Sequence, residues 1–243
     1  MPNGGGTMPN SPLAPDVIEA VRLAHLRIYH HDDVVEYLFG RGIGPSEIGA
    51  WRIGYWADPG PMPALHERIV FPVYDFTGTV LLAVSGRVWC GPGPKYWHTR
   101  FNKKRWLYGL WQPATSVPVL VEGMGDCIAL RKLGLFALAT MGTALTETQA
   151  ALLALYSDWC LVLPHHDAPH IGEQWRGTLA KVGVTALLPL SMYPAGCPPD
   201  ADPDWMIQEC PGLLQRVTNT LLAVGAEQFG GDPCDKIMGR LRG

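Results

Sequence analysis

From residue 119 to residue 188, short apolar runs alternate with amphipathic helical stretches, and this alternation limits the fold more than any other feature of the chain. The spacing predicts strands over 119–122, 135–139, 159–163 and 184–188 and helices over 125–133, 146–155 and 172–182. Strands interleaved with helices in this way form parallel βαβ units, so the expected fold class is α/β, with a central, largely parallel sheet flanked by helices. The first strand stops at Glu122-Gly123, and Asp126 lies in the first turn of the helix that follows. Two carboxylates are thereby expected at the carboxyl end of a strand, where open α/β sheets place their ligands. That position suits a metal site.

The first half reads differently. Residues 15–30 and 32–39 are amphipathic helices, the second ended by Gly40-Arg41-Gly42. Arg68 to Arg87 reads as two strands joined by a short turn at Asp75 to Gly78. A proline-flanked linker at 113–118 separates this mixed α+β part from the alternating one. The expected organisation is a disordered arm over 1–13, an amino-terminal subdomain over 14–115, an α/β domain over 116–212 and a carboxy-terminal helical tail over 213–243. From Trp205 onward the chain is expected to be helical, with Pro211 starting a second helix that runs to about Phe229.

Composition narrows the function classes. With 47% hydrophobic and 17% charged residues, the chain has the makings of a real core. No apolar run approaches the roughly 18–20 residues of a membrane helix, and Met-Pro-Asn-Gly-Gly-Gly-Thr lacks the charged and apolar regions of a signal peptide, so the expected location is cytoplasmic, with no membrane partner. The six cysteines are scattered without a Cys-x-x-Cys pair, and no zinc site is expected. Cys127 and Cys160 lie in apolar runs and read as small core hydrophobes. No Gly-x-x-x-x-Gly-Lys-Ser/Thr occurs, which excludes a P-loop motor in this polypeptide.

The net charge of −3 hides a strong local asymmetry. Between Asp75 and Glu122 there is no acidic residue, while Arg87, Lys95, Arg100, Lys103, Lys104 and Arg105 are interleaved with Trp89, Tyr96, Trp97, Phe101, Trp106 and Tyr108. Such a stretch sets a positive field beside rings that stack on bases, the footprint of a single-stranded nucleic-acid surface.

Taken together, these residues resemble a known family. Val-Glu122-Gly123-x-x-Asp126, Gly142-Thr143-x-Leu145-Thr146-x-x-Gln149, the apolar strand ending at His165-His166-Asp167, then Leu188-Pro189 and Asp202-Pro203-Asp204 resemble a TOPRIM domain. Ahead of it, Arg41-Gly-Ile, Ile53-Gly-Tyr, Arg68-Ile-Val-Phe-Pro72, Asp75-x-x-Gly78, Gly86-Arg87, Pro94-Lys95-Tyr96 and Leu107-Tyr-Gly109 resemble the amino-terminal part of the DnaG-type primase catalytic core, known from bacteria and phages. The resemblance covers roughly residues 34 to 210. It implies an enzyme, a DNA-directed RNA polymerase that joins ribonucleoside triphosphates into short primers on a single-stranded DNA template. It implies two or more Mg2+ or Mn2+ ions, held by Glu122, Asp167, His165, Asp202 and Asp204, with Asp126, Gly123, Gly142 and Thr143 supporting them. Glu122, Asp167, Lys95 and Arg87 are the implied catalytic residues. Arg68, Arg87, Lys95, Tyr96, Lys103 and Lys104 are those implied to contact nucleic acid or nucleotide. The resemblance does not extend to the zinc-binding domain that usually precedes this core, so a separate zinc-binding domain or replicative helicase is an expected partner, as in a compact phage-like system. The location would then be the host cytoplasm.

One departure stands out. Primases of this type usually carry Asp-x-Asp-x-Ala-Gly where this chain has His165-His166-Asp167-Ala168-Pro169-His170, which places three of the eight histidines in one turn. A neutral imidazole is a poor magnesium ligand and a good one for manganese, zinc or nickel. Either the site keeps its activity with a changed metal preference, or it has lost a ligand and become a primase-like module that binds single-stranded DNA or a replisome partner. A TOPRIM nuclease is a further alternative, disfavoured by the primase-type first half.

Overall fold

The computed structural model describes residues 13–114, 116–189 and 192–229. The arm expected over 1–13, apart from Leu13, and the tail beyond 229 lie outside the described residues. The chain divides into two compact units. One comprises the described residues up to Tyr37 with Ile48–Asn102, the other Leu38–Glu47 with the described residues from Lys103 onward. The linker expected at 113–118 therefore lies inside the second unit. Arg131 holds it there, donating through its guanidinium to the carbonyls of Gly109, Pro113 and Ala137.

Helices α1 (Pro15–Arg27), α2 (Asp32–Gly40) and α3 (Pro45–Trp51) open the chain. The predicted 15–30 helix is α-helical to Arg27 and closes with a 3₁₀ turn, Ile28–His30; α3 had no expected counterpart. Strands β1 (Gly54–Trp56), β2 (Arg68–Tyr74), β3 (Leu81–Val88) and β4 (Tyr96–His98) form an antiparallel meander in that order. The two long strands were expected; β1 and β4, three residues each, were not. The β2–β3 turn is built on Asp75, whose carboxylate accepts from the Thr79 and Val80 N–H groups while Gly78 takes φ +70°. Val17, Val21 and Ala24 of α1 bury against Trp56, Val70 and Val84 of the sheet. Gly54 allows this approach, because a Cβ there would lie 2.7 Å from the α1 backbone.

In the second unit, β5 (Pro118–Val121), α4 (Met124–Lys132), β6 (Phe136–Ala139), α5 (Glu147–Ala154), β7 (Trp159–Val162), α6 (Pro169–Ala180) and β8 (Thr185–Leu187) alternate as predicted. Helix α6 starts three residues before the expected position, at Pro169, whose fixed φ suits the first helical turn. The sheet order is β6-β5-β7-β8, all pairs parallel. Strands β5, β6 and β7 are buried along their length, which is why they read as unbroken apolar runs. Leu120, Phe136, Leu138, Val162 and Trp175 centre the core. Cys127 and Cys160 are fully buried, and burial pushes both thiols up to about 12, as expected of inert core thiols. Helix α7 (Pro203–Glu209) packs on α4, and α8 (Pro211–Phe229) packs on α7 and β7. Gly225 lets α8 close on the Trp159 ring, which a Cβ would strike at 2.2 Å.

The motif Thr146-x-x-Gln149 has a structural reason. The two side chains cap α5 reciprocally, and the Gln149 amide then donates to the carbonyls of Lys103, Trp106 and Thr140 at 2.9–3.3 Å. Thr146 Oγ1 donates to the Lys104 carbonyl. The basic 3₁₀ turn Lys103–Arg105 is thereby fastened to the parallel-sheet unit by two side chains of α5.

Candidate metal centre and nucleic-acid surface

Parallel pairing of β5 with β7 brings their carboxyl ends side by side, so Glu122 and His165 emerge next to one another. The Leu163 N–H continues the ladder to the Leu120 carbonyl. Asp126, at the third position of α4, accepts from the Gly123 N–H at 3.2 Å and so caps its own helix. Its other oxygen accepts from the Asp204 N–H at 3.1 Å, which ties α4 to the start of α7. Asp202 caps α7 by accepting from the Trp205 N–H at 2.7 Å. His165 Nε2 lies 3.2 Å from Asp126 Oδ2. One ligand atom each from Asp126, His165 and Asp202 falls within 4.8 Å of the others.

The remaining acids differ in their surroundings. Glu122 is buried, and its Oε1 has no hydrogen-bond partner among the described residues. Burial, with Asp126 and Asp167 nearby, raises its carboxyl above the usual range even against the opposing pull of His165. Asp204 is buried too, but both of its oxygens are taken, one by the Arg41 guanidinium and one by Gln208 Nε2 at 2.9 Å. Burial raises its carboxyl as well, partly offset by Arg41. Asp202 is raised by burial and then by Asp126. Asp167 is exposed and stands outside the three-residue group. For His165, burial works against the charged form, but Asp126, Glu122 and Asp202 outweigh it and raise the imidazole to about 9. The arrangement is a cluster of acids answered by one imidazole, with an unsatisfied carboxylate oxygen beside it. Such a donor set fits a divalent cation.

Gly142 and Thr143 follow β6, and the Thr143 carbonyl accepts from Trp175 Nε1 at 2.9 Å. Lys103 Nζ donates to the Met141 carbonyl at 2.9 Å, and a Cβ on Gly142 would crowd that ammonium at 3.2 Å. Lys103 and Lys104 are exposed in the second unit.

The other predicted basic residues belong to the antiparallel unit. Arg87, on β3, donates to Tyr37 Oη at 3.2 Å and to Tyr96 Oη at 2.7 Å, with its guanidinium 5.4 Å from the Tyr96 ring centre. Tyr96 and His98 on β4 stack at 6.0 Å with planes 9° apart. Arg68 donates to the Pro94 carbonyl at 3.0 Å and so steadies the loop that carries the exposed Lys95. Trp97 packs against the core of this unit. Arg41, Gln208, Gln149 and Tyr37 were assigned no role from sequence. Arg41 and Asp204 are 163 positions apart, and only the fold pairs them.

No family model matches this chain. A DNA primase of Synechococcus elongatus is 34% identical over 118 residues, which cover 44% of this chain and 17% of that protein. The primase of Aquifex aeolicus, solved with its zinc-binding and RNA polymerase domains, superposes with a TM-score of 0.64 at 21% identity, covering 92% of this chain and 66% of that one. This chain is a relative of the DNA primases and has the fold of the DnaG-type catalytic core. A DnaG primase catalytic domain bound to single-stranded DNA gives a TM-score of 0.61 at 20% identity, covering 86% and 83% of the two chains. The chain spans less than two fifths of the length of the curated relatives it matches. None of the described helices is long and apolar enough to cross a membrane.

Proposed function

We propose that this chain is the catalytic core of a DNA primase, joining ribonucleotides into short primers on a single-stranded DNA template by metal-dependent nucleotidyl transfer. The observation that carries the reading is the partly buried cluster of Asp126, His165 and Asp202 beside Glu122, at the carboxyl end of the parallel sheet, set in a primase-core fold. Phosphoryl transfer needs mainly in-line geometry and cations that neutralise developing charge. Asp126, His165 and Asp202 would hold a Mg2+ or Mn2+ ion, with Glu122 facing it; when bound, the ion supplies charge stabilisation at the triphosphate and primer oxygens. Glu122 holds a raised-pKa carboxyl at the end of a rigid strand, where it accepts a proton or orients the attacking hydroxyl. Asp204, held by Arg41 and Gln208, serves to position Asp126 through its backbone N–H. Arg87 and Lys95, with the Tyr96–His98 stack, supply phosphate contacts and a ring surface for bases. Arg68 supports that loop. Lys103 and Lys104 present positive charge from the α5-anchored turn, and exposed Asp167 is available at the rim of the acidic cluster.

Partners follow the same reading. The solved Aquifex primase carries its own zinc-binding domain, and a phage T7 relative is a primase-helicase. We therefore expect template choice to depend on a zinc-binding domain or helicase supplied with this core, in the compartment where DNA is replicated, the cytoplasm of the cell or host.

The test is primer synthesis on a mixed single-stranded template with labelled ribonucleotides, a zinc-domain partner present, in magnesium and in manganese. Products from wild type that vanish in Glu122→Gln are the expected result. Identical behaviour of the two proteins would reject the assignment, and metal-dependent nicking of plasmid would move it to a nuclease. Retained single-stranded DNA binding without synthesis or metal binding would favour a non-catalytic module, the reading that His165 raises.

A further inference from the structure

The cation site contains a nitrogen donor where an all-oxygen set would serve magnesium best, and the surroundings hold that nitrogen in place. His165 follows Leu163 and Pro164 at the end of β7; its carbonyl accepts from the Ala168 N–H, and the next residue's N–H is tied to the Ala201 carbonyl. Its ring nitrogen points at Asp126 Oδ2 at 3.2 Å, within the group that also includes Asp202. Ligands at about 2.0–2.2 Å from an ion are separated by about 3 Å when adjacent and about 4 Å when opposite. The Asp126–His165 pair is already at the separation of adjacent ligands, and the group as a whole lies within 4.8 Å, close to the opposite-ligand span. A second, separate observation points the same way. Glu122 is 7% exposed and its carboxyl feels His165 and Asp126 of the group, yet its Oε1 has no hydrogen-bond partner among the described residues, and a buried carboxylate oxygen left so is costly until a donor or cation answers it.

We infer that Asp126, His165 and Asp202 form a mixed nitrogen–oxygen site selective for a first-row transition-metal ion over Mg2+, and that His165 sets that selectivity. The inference deepens the primase reading and rests on it for the purpose of the ion, but the donor set stands independently of any activity. Magnesium demands near-ideal octahedral oxygen ligation at 2.0–2.1 Å and dehydrates reluctantly. Imidazole is a poor ligand for magnesium and suits first-row transition metals, with affinity lowest for Mn2+, rising to Cu2+ and falling again at Zn2+. Three protein donors of this kind leave positions for water or for phosphate oxygens. Asp204 lies outside this group and accepts from Arg41 and Gln208 through its two oxygens. The acidic oxygens that remain make the site a general cation binder, and the histidine gives it its preference.

The test uses the full chain stripped of metal and titrated with Mg2+ and Mn2+ by calorimetry, together with the hyperfine spectrum of bound Mn2+. Wild type is expected to bind Mn2+ at least tenfold tighter than Mg2+ and to show coupling to a histidine nitrogen. His165→Asp should collapse that ratio by tenfold or more, chiefly through gained Mg2+ affinity. His165→Gln should lose the nitrogen coupling while melting as a folded protein. The spectrum of wild type needs no variant, so it decides the matter even if a substitution fails to fold. Equal Mn2+ and Mg2+ affinity in wild type, or Mn2+ bound without nitrogen coupling, would overturn the inference, as would the absence of metal binding. Primer synthesis is scored separately. Selectivity without synthesis would reject only the proposed activity, and synthesis without selectivity would reject only this inference.

Discussion

The acidic end of the parallel sheet and the basic face of the antiparallel one solve opposite problems. Around Glu122 the charged groups are mostly buried or half-buried, and three of the acids are held by named partners: Asp126 by two helix starts, Asp202 by its own helix, Asp204 by Arg41 and Gln208. Around β3 and β4 the charges are half-buried or exposed; Arg87 is pinned by two phenols and Arg68 by the Pro94 carbonyl, while Lys95 stands exposed. Reactions that depend on fixed atoms need the first arrangement, because a displacement of an ångström is costly. Contacts to a flexible phosphate backbone need charge and stacking surface more than position, and in the proposed function the second arrangement would supply them. Substitutions at the two ends should therefore fail in different ways.

The largest effect is expected at Arg41. Arg41→Ala leaves Asp204 buried without its cation, which should cost about 3–5 kcal/mol of stability by chemical denaturation. A loss below about 1 kcal/mol would show that the acidic end is not held as described. Next, Gln149→Leu strips three carbonyls of a donor and frees the Lys103–Arg105 turn; a loss of about 1–3 kcal/mol and weaker single-stranded DNA binding should appear together. Smaller still, Arg87→Ala and Lys95→Ala should leave melting nearly unchanged while weakening DNA or nucleotide binding and lowering the salt slope by about one phosphate contact. Unchanged affinity across a salt titration would remove that face from the site.

The last prediction concerns pH dependence. The folded imidazole of His165 titrates at about 9, above the ordinary 6.5, so its contribution is fully present below pH 6.5 and is lost as pH rises through 9. Metal-free wild type should lose melting temperature across that window, and His165→Gln should not. A flat profile in wild type would separate His165 from the carboxylates.

How much of this was legible in the sequence follows from burial and range. Parallel strands covered on both faces leave unbroken apolar runs, so β5, β6 and β7 could be read directly, and Glu122 and Asp126 with them. Strands β1 and β4 are three residues long, and β4 lies in a Gly- and Pro-rich basic stretch that reads as loop. The capping role of Asp126 was visible because it is local; its contacts with His165 and Asp204 arise only when β7 and α7 are folded against α4. Asp204 shows the same limit of range: read in sequence as a ligand beside Asp202, it accepts in the fold from Arg41 and Gln208, contacts that no local pattern displays. The Gln149 hub shows a motif whose residues were visible and whose purpose was not, since its partners lie 9 to 46 positions away.

The most direct test of the division between a rigid chemical end and a tolerant binding face is to measure primer synthesis and single-stranded DNA affinity side by side for Glu122→Gln and Lys95→Ala. Glu122→Gln should lose synthesis by about 10²-fold or more while its DNA affinity stays within about twofold of wild type, and Lys95→Ala should weaken affinity first. Synthesis that survives in Glu122→Gln, or DNA affinity that falls as far as synthesis does, would contradict the account.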